Sequence, residues 1–178
     1  IALDIRAVRD SYASSKAIGE FLIKNFCTYK DSDFLIFRIF NAYGPRMDNT
    51  KYGQVVPEFI RKAYSGKQFT IIGDGQHTRS FCFSKDHARM VLGLVDKESN
   101  KVINLGDDKE IKIIDLASLI CNIIGVEFSP EFLEPRANDP LRRCPNIEAL
   151  KKLIEPPRYD LSMGLTETIS WYSKKHGY

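Results

Sequence analysis

The run Phe34-Leu-Ile-Phe-Arg-Ile-Phe40 constrains the fold most. It is too short for a self-sufficient surface helix and too uniformly apolar for a strand with one wet face, so it reads as a buried strand of a parallel sheet. Parallel strands cannot be joined by a tight hairpin and need a crossover, usually a helix. The flanking sequence supplies candidates. Ile18, Phe21, Leu22 and Phe26 recur at helical spacing and predict a helix over 13–29. Val55, Val56, Phe59, Ile60 and Ala63 predict another over 54–64, stopped by Ser65-Gly66.

The pattern continues to the end of the chain. Strands are expected at 69–72, closed by the tight turn Gly73-Asp-Gly75, and at 102–105, ending at Gly106. Residues 80–83 are a further extended piece, and 127–133 a further strand. Helices are expected over 85–95, with Ala88, Val91, Leu92 and Val95 aligned, and over 113–124, stopped by Gly125. A polar loop over 134–146 precedes helices at 147–154 and 161–175, which Pro156-Pro157 separates. Strand and helix patterns alternate, so the class is α/β. No internal repeat or low-complexity stretch interrupts them.

Composition narrows the function. With 178 residues, 43% hydrophobic and 28% charged, the chain can bury a core and matches one ordinary domain or part of a larger one. The net charge of +3 is small, and charges of both signs are interspersed. A nucleic-acid binder usually clusters its Lys and Arg, so an acidic small molecule is the better use for a few selected arginines. Cys27, Cys82, Cys121 and Cys144 are widely scattered with no C-x-x-C. That argues against a metal site or a disulfide framework and for a reducing cytoplasm. No apolar run approaches membrane-spanning length, and nothing resembles a signal peptide. The chain opens on Ile1 rather than Met with a helix close behind, and reads as a fragment.

Chemistry concentrates in three places. In Ser11-Tyr-Ala-Ser-Ser-Lys16, Tyr12 and Lys16 stand four apart at a helix start. That spacing puts both on one face with Cβ atoms roughly 5–6 Å apart. An ammonium at that distance favours the phenolate, the form a general base needs to remove a hydroxyl proton. On spacing alone, such a pair is equally a solvated helix face. Asn41-Ala-Tyr-Gly-Pro45 is a loop at the end of the apolar strand, where α/β proteins build their sites. Arg79 follows the Gly73-Asp-Gly75 turn and offers a planar guanidinium that can contact a phosphate in two places. Asn41 is otherwise a turn residue, and Arg79 a surface arginine. His77 and His87 lack ligand spacing.

Together these segments carry a resemblance. Tyr12-x-x-x-Lys16, Arg38-Ile-Phe-Asn-Ala-Tyr-Gly-Pro-Arg46, Gly73-Asp-Gly-Gln-His-Thr-Arg79-Ser-Phe, Asn104-Leu-Gly106 and Arg136-Ala-Asn-Asp-Pro-Leu-Arg-Arg143 occur in the order seen in extended short-chain dehydrogenases/reductases. Within that superfamily they look most like UDP-glucuronate decarboxylases and related nucleotide-sugar 4-epimerases and 4,6-dehydratases. The resemblance covers essentially the whole chain and implies NAD as cofactor and a nucleotide-diphosphate sugar, UDP-sugar favoured, as substrate. It implies that Tyr12 deprotonates the sugar C4 hydroxyl as hydride passes to NAD, giving a C4-keto intermediate that is then epimerised, dehydrated or decarboxylated. Lys16 would hold the nicotinamide ribose. Asn41 would contact the diphosphate or sugar, and Gln54 and Val55 would start a helix lining the nucleotide pocket. Arg79 would pair with the pyrophosphate, with Arg136 as a second phosphate contact and Arg143 as the alternative donor in the same loop. Asn104 either touches the nucleotide or pairs with backbone at a strand end, the second being favoured.

The resemblance also implies an architecture. Residues 1–42 would be the C-terminal part of an NAD-binding Rossmann domain, and 43–178 mainly the nucleotide-sugar-binding domain, with 85–106 returning to the sheet. Family members pair as homodimers through a bundle that includes the tyrosine-bearing helix. Phe21, Leu22 and Phe26 fit that arrangement, or plain core packing. Relatives begin with a G-x-x-G-x-x-G loop whose N–H groups bind the dinucleotide pyrophosphate. Gly73 and Gly75 open no helix and cannot stand in for it, and the family's third catalytic Ser or Thr also lies upstream of the tyrosine. If the 178 residues were the whole polypeptide, NAD binding would be weak. Two other readings remain open: an NADP-dependent sugar-nucleotide reductase, and a non-catalytic homologue that binds nucleotide-sugar through Arg79 and Asn41.

Overall fold

The computed structural model describes residues 11–47, 54–66, 68–135 and 140–177. The chain begins with the long helix α1 (Ser11–Lys30), which leads into strand β1 (Leu35–Ile39) and the two-residue β2 (Ala42–Tyr43). Helix α2 (Val55–Ser65), β3 (Phe69–Ile72), β4 (Thr78–Ser80) and β5 (Cys82–Phe83) follow. Next come α3 (Ser84–Leu94), β6 (Lys101–Leu105), β7 (Glu110–Lys112) and α4 (Ile113–Ile124). Strands β8 (Pro130–Leu133) and β9 (Arg142–Arg143) then precede α5 (Glu148–Lys151) and α6 (Leu161–His176). Strands and helices alternate, and most pairings are parallel.

β1 pairs in parallel with β6, from Leu35 against Lys101 to Ile39 against Leu105. β2 pairs with β5, and β3 with β8, also in parallel. β4 is the centre of a three-stranded sheet, antiparallel to β7 and parallel to β9. The polar stretch 134–146 therefore contains a strand where a loop was expected. Two residues is too short a signal for any periodicity to reveal it. The helix expected over 147–154 contracts to the single turn α5. Ile147 and Leu150 are buried and Leu153 and Ile154 pack against the same cluster, so the apolar stripe runs past the helix, which ends ahead of Pro156-Pro157.

Two clusters hold the fold. In the larger, α2 lays Val56, Phe59, Ile60 and Ala63 against Phe69 and Ile71 of β3, while α4 adds Leu116, Ala117, Ile120 and Cys121. Leu165, Ile169 and Tyr172 of α6 complete it. Full burial of one such side chain is worth about 1.5–3 kcal/mol, so α2 is held by its packing rather than by propensity. The helix ends at Gly66 in the left-handed conformation (φ 61°), where a Cβ would be strained. Helix α6 is opened by Asp160, whose carboxylate accepts from the Met163 N–H at 2.7 Å, a cap worth about 1 kcal/mol. The smaller cluster packs Met90, Leu94, Ile103, Leu105, Ile147 and Leu150 beneath the β1–β6 pair.

Asp86 joins α3 to the approach to α6. Its carboxylate is 1% exposed and accepts from the Arg158 and Tyr159 N–H groups at 3.0 and 2.9 Å. Arg89 adds two guanidinium contacts at 3.1 and 3.2 Å.

Two expectations meet a different outcome at the start of the chain. β1 is parallel as predicted, yet only Ile36 is buried, and Arg38 and Ile39 are exposed. Among the described residues β1 has a partner on one edge only, so its apolar side chains are half covered. Helix α1 buries no residue at all. Phe21, Leu22 and Phe26 are 60% exposed or more, which rules out core packing for them among the described residues. No helix among those residues is long and apolar enough to cross a membrane.

Candidate active site

Tyr12 lies in the first turn of α1, and Lys16 one turn later on the same face. The Lys16 Nζ sits 5.2 Å from the centroid of the Tyr12 ring, so the pair is in contact through a cation–π geometry. Both side chains are exposed. One face of α1 thus presents a phenolic hydroxyl and an ammonium side by side.

Helix α1 is tied to β1 by an ion pair that spacing did not reveal. Arg38 donates from Nε to one Glu20 oxygen at 2.6 Å and from a terminal nitrogen to the other at 2.7 Å. The guanidinium holds the Glu20 carboxyl below its ordinary range. Glu20 is one turn beyond Lys16, which is the only sequence signal for it.

Three residues after Arg38, Asn41 leaves β1 with φ 39°, a left-handed conformation that Asn tolerates better than most side chains. Its amide nitrogen donates to the Ser80 carbonyl at 2.8 Å, and its own carbonyl accepts from the Cys82 N–H at 3.2 Å. Asn41 therefore stitches the end of β1 to the β4–β5 connection, and one N–H of its amide is committed to the fold. Nearby Cys82 is no nucleophile, because burial and then the charges of Asp86 and Asp107 push its thiol up to about 12.

Gln54 immediately precedes α2 and is exposed, with no cap from its side chain, and Val55 opens the helix half-buried. The Asn104 amide donates to the Asn146 carbonyl at 2.9 Å, the strand-end backbone pairing favoured from sequence. Arg136 lies outside the described residues.

The parallel pairing of β4 and β9 sets Arg79 in register with Arg143 and Thr78 with Arg142. Alternate residues of a strand face opposite sides of the sheet, so Arg79 and Arg143 share one face and Arg142 occupies the other. There Glu110 takes two contacts from Arg142 Nε, at 2.9 and 3.0 Å, and one from the Thr78 hydroxyl at 2.6 Å. Arg79 itself donates to the Thr78 carbonyl at 2.8 Å. Two guanidinium groups on one face of adjacent strands are a natural seat for a diphosphate.

A separate cleft of about 540 Å³ opens between the turn 73–77 and residues 132–135. Its polar lining includes Asp74 and Glu134, and two carboxylates disfavour an anion. By charge, the arginine face and not this cleft suits a phosphate group. Among the described residues no helix starts from a glycine-rich turn, so the dinucleotide pyrophosphate has no cradle there. Among the described residues, Tyr12 and Lys16 are donors of the kind that the nicotinamide ribose of such a cofactor would accept from.

The chain is similar to known proteins over most of its length. The family model described as the NAD dependent epimerase/dehydratase family matches residues 4–106. UDP-glucuronic acid decarboxylase 1 of Xenopus tropicalis is 32% identical over 168 residues, covering 94% of this chain and 40% of that protein. Among solved structures, UDP-glucose 4-epimerase of Thermotoga maritima with UDP-glucose is similar at 26% identity and a TM-score of 0.88, over 93% of this chain and 54% of that one. UDP-glucuronic acid 4-epimerase of Bacillus cereus, in complex with UDP-4-deoxy-4-fluoro-glucuronic acid and NAD, is similar at 27% identity and a TM-score of 0.78, over 90% and 51%. The chain spans about half the length, or less, of these relatives.

Proposed function

The chain belongs to the NAD dependent epimerase/dehydratase family, and we propose that it is the C-terminal portion of an enzyme that acts on a UDP-sugar through a C4-keto intermediate. The observation that carries this reading is the placement of Tyr12 and Lys16 in contact on one helix, tied to the strand that ends at Asn41. The paired Arg79 and Arg143 support a diphosphate-bearing substrate.

Each residue has a task in this reading. Tyr12 Oη takes the proton of the C4 hydroxyl as the C4 hydrogen leaves as hydride. NAD, when bound, supplies the hydride acceptor. Lys16 holds the nicotinamide ribose and keeps a positive charge beside the phenol. Arg79 and Arg143 neutralise the pyrophosphate, and Asn41 faces the sugar side. The register of Arg143 with Arg79 supports a common face for their two forks, and Arg136 of the same loop is a further phosphate contact in this reading. Gln54 and Val55 line the nucleotide end at the start of α2. The likeness to decarboxylases makes UDP-glucuronate the first substrate to try.

The same reading assigns residues 1–42 to the NAD-binding domain and 43–178 mainly to the substrate domain, with 85–106 in the Rossmann sheet. The wide apolar surface of α1, with Ile18, Phe21, Leu22 and Phe26 exposed, supports a homodimer built on that helix. The four unpaired cysteines support a cytoplasmic setting. The test is Tyr12→Phe in the full-length protein, assayed against UDP-, GDP-, CDP- and dTDP-sugars with mass spectrometry of products. Loss of turnover on a UDP-sugar is the expected result. Undiminished turnover would remove Tyr12 as the base.

A further inference from the structure

We infer that Glu20 is a positioning residue: its two-pronged pairing with Arg38 sets the azimuth of the Tyr12–Lys16 helix relative to the strand that ends at Asn41. The inference rests on the reading of Tyr12 as the base.

Helix α1 buries none of its own residues, so apolar packing does not fix its rotation within the described residues. What ties it there is polar. Near its C-terminal end the Ser32 N–H donates to the Cys27 carbonyl, and the Cys27 thiol lies 3.6 Å from the Asp33 carbonyl. These contacts hold the helix end, where the chain turns toward β1. Glu20, ten residues earlier than Lys30, is the tie in the half of the helix that carries the chemistry. Residues at 12, 16 and 20 rise about 6 Å per step and drift by about 40°, so all three lie on one face. The two oxygens of Glu20 meet two nitrogens of Arg38, at 2.6 and 2.7 Å, and a fork of that kind resists rotation as well as translation.

The other end of the tie is equally placed. Arg38 sits in β1 opposite Asn104 of β6, and two residues later the Phe40 N–H donates to the Leu105 carbonyl. Asn41 comes next and is itself bonded to Ser80. A rigid path therefore runs from Tyr12 and Lys16 through Glu20 and Arg38 to Asn41. Arg38 is about half exposed, and pairs of that kind add little to global stability. The geometry of the reacting groups is where its loss registers.

The experiment uses the full-length protein with Glu20→Gln, the reversed pair Glu20→Arg with Arg38→Glu, and Tyr12→Phe as reference. Steady-state kinetics and single-turnover NADH formation are read beside thermal unfolding. Glu20→Gln is expected to lower kcat on the order of tenfold to a hundredfold, the usual consequence of an ångström-scale misplacement, and to slow NADH formation equally. KM and the unfolding temperature should stay near their original values, and the reversed pair should recover most of the lost rate. An unchanged kcat in Glu20→Gln beside an inactive Tyr12→Phe overturns the inference and leaves the base assignment standing. A fall in kcat with a parallel fall in unfolding temperature and no recovery in the reversed pair overturns it as well. Turnover retained in Tyr12→Phe sinks the base assignment, and the positioning role with it.

Discussion

Arg79 and Arg143 are register partners on the parallel strands β4 and β9, and the residue before Arg143 points the other way into Glu110. Two neighbouring arginines thereby acquire different roles. Arg142 is paired with a carboxylate that its contact holds below the ordinary range, while Arg143 lies on the face of the sheet that carries Arg79. In the full-length protein, Arg79→Ala and Arg143→Ala should each weaken UDP binding about tenfold to a hundredfold, the worth of a charge-assisted hydrogen bond of about 1.5–3 kcal/mol. Arg142→Ala should change it by no more than about twofold, as expected for an exposed pair. Calorimetric titration at fixed ionic strength decides the matter, and equal losses for Arg142 and Arg143 would refute the register argument.

Asp86 should be the costliest single polar residue to remove. Its buried carboxylate serves two backbone N–H groups and the Arg89 guanidinium together. Asp86→Ala takes the acceptor from the two N–H groups and leaves Arg89 its carbonyl contacts at Pro156 and Glu155, so the loss should be about 2–4 kcal/mol, mainly from the unsatisfied N–H groups. Asp86→Asn keeps an acceptor oxygen and should cost less. Urea denaturation of the two variants gives the order, and the reverse order would contradict the assigned bonds.

Gly164 and Gly19 should respond oppositely to alanine. A Cβ at Gly164 would lie 2.0 Å from the Tyr43 hydroxyl oxygen and 3.1 Å from a Phe83 ring carbon, in the interior. Tyr43 is itself buried, so the clash cannot relax into solvent, and overpacking of this kind costs about 1–3 kcal/mol. A Cβ at Gly19 meets nothing within 4 Å. There the change should favour α1 by about 0.5–1 kcal/mol through helix propensity. Helicity by circular dichroism and thermal melts together would expose a failure of either half.

The parts of the molecule that could be read in advance are those with local signatures. Gly66, Gly125 and the apolar spacing of α2 and α4 mark their helices because caps and burial act within a few residues. Tyr12 and Lys16 were legible as a pair for the same reason, since four residues make one turn. The Arg79–Arg143 pairing was not, because it depends on which strand lies beside β4 across 64 residues of chain. The pairing of Glu20 with Arg38 has no local signature, because a glutamate on a helix and an arginine in a strand are common and only the fold brings them together. Asn41 is legible as a loop residue at a strand end. Its bond to Ser80 adds a structural duty that the resemblance alone did not disclose.

His87 should make the stability of the chain sensitive to mild acid. Its ring is buried, Nε2 donates to the Leu105 carbonyl at 3.2 Å, and Nδ1 has no hydrogen-bond partner among the described residues. Burial lowers its pKa from 6.5, although the Leu105 carbonyl and the Asp86 charge oppose the shift. With the native value depressed, the unfolded chain binds a proton that the folded chain refuses. Stability is therefore full above the unfolded value of 6.5 and declines as the pH falls through it, until the folded group also titrates. The slope is at most about 1.4 kcal/mol per pH unit for one proton. His87→Gln removes the titrating group and should flatten the curve in this window, leaving the carboxylates, whose ordinary values lie near 4, to act at lower pH. Urea midpoints for both proteins across about pH 5 to 8 test this, and parallel curves would show that His87 is protonated in the folded chain as readily as in the unfolded one.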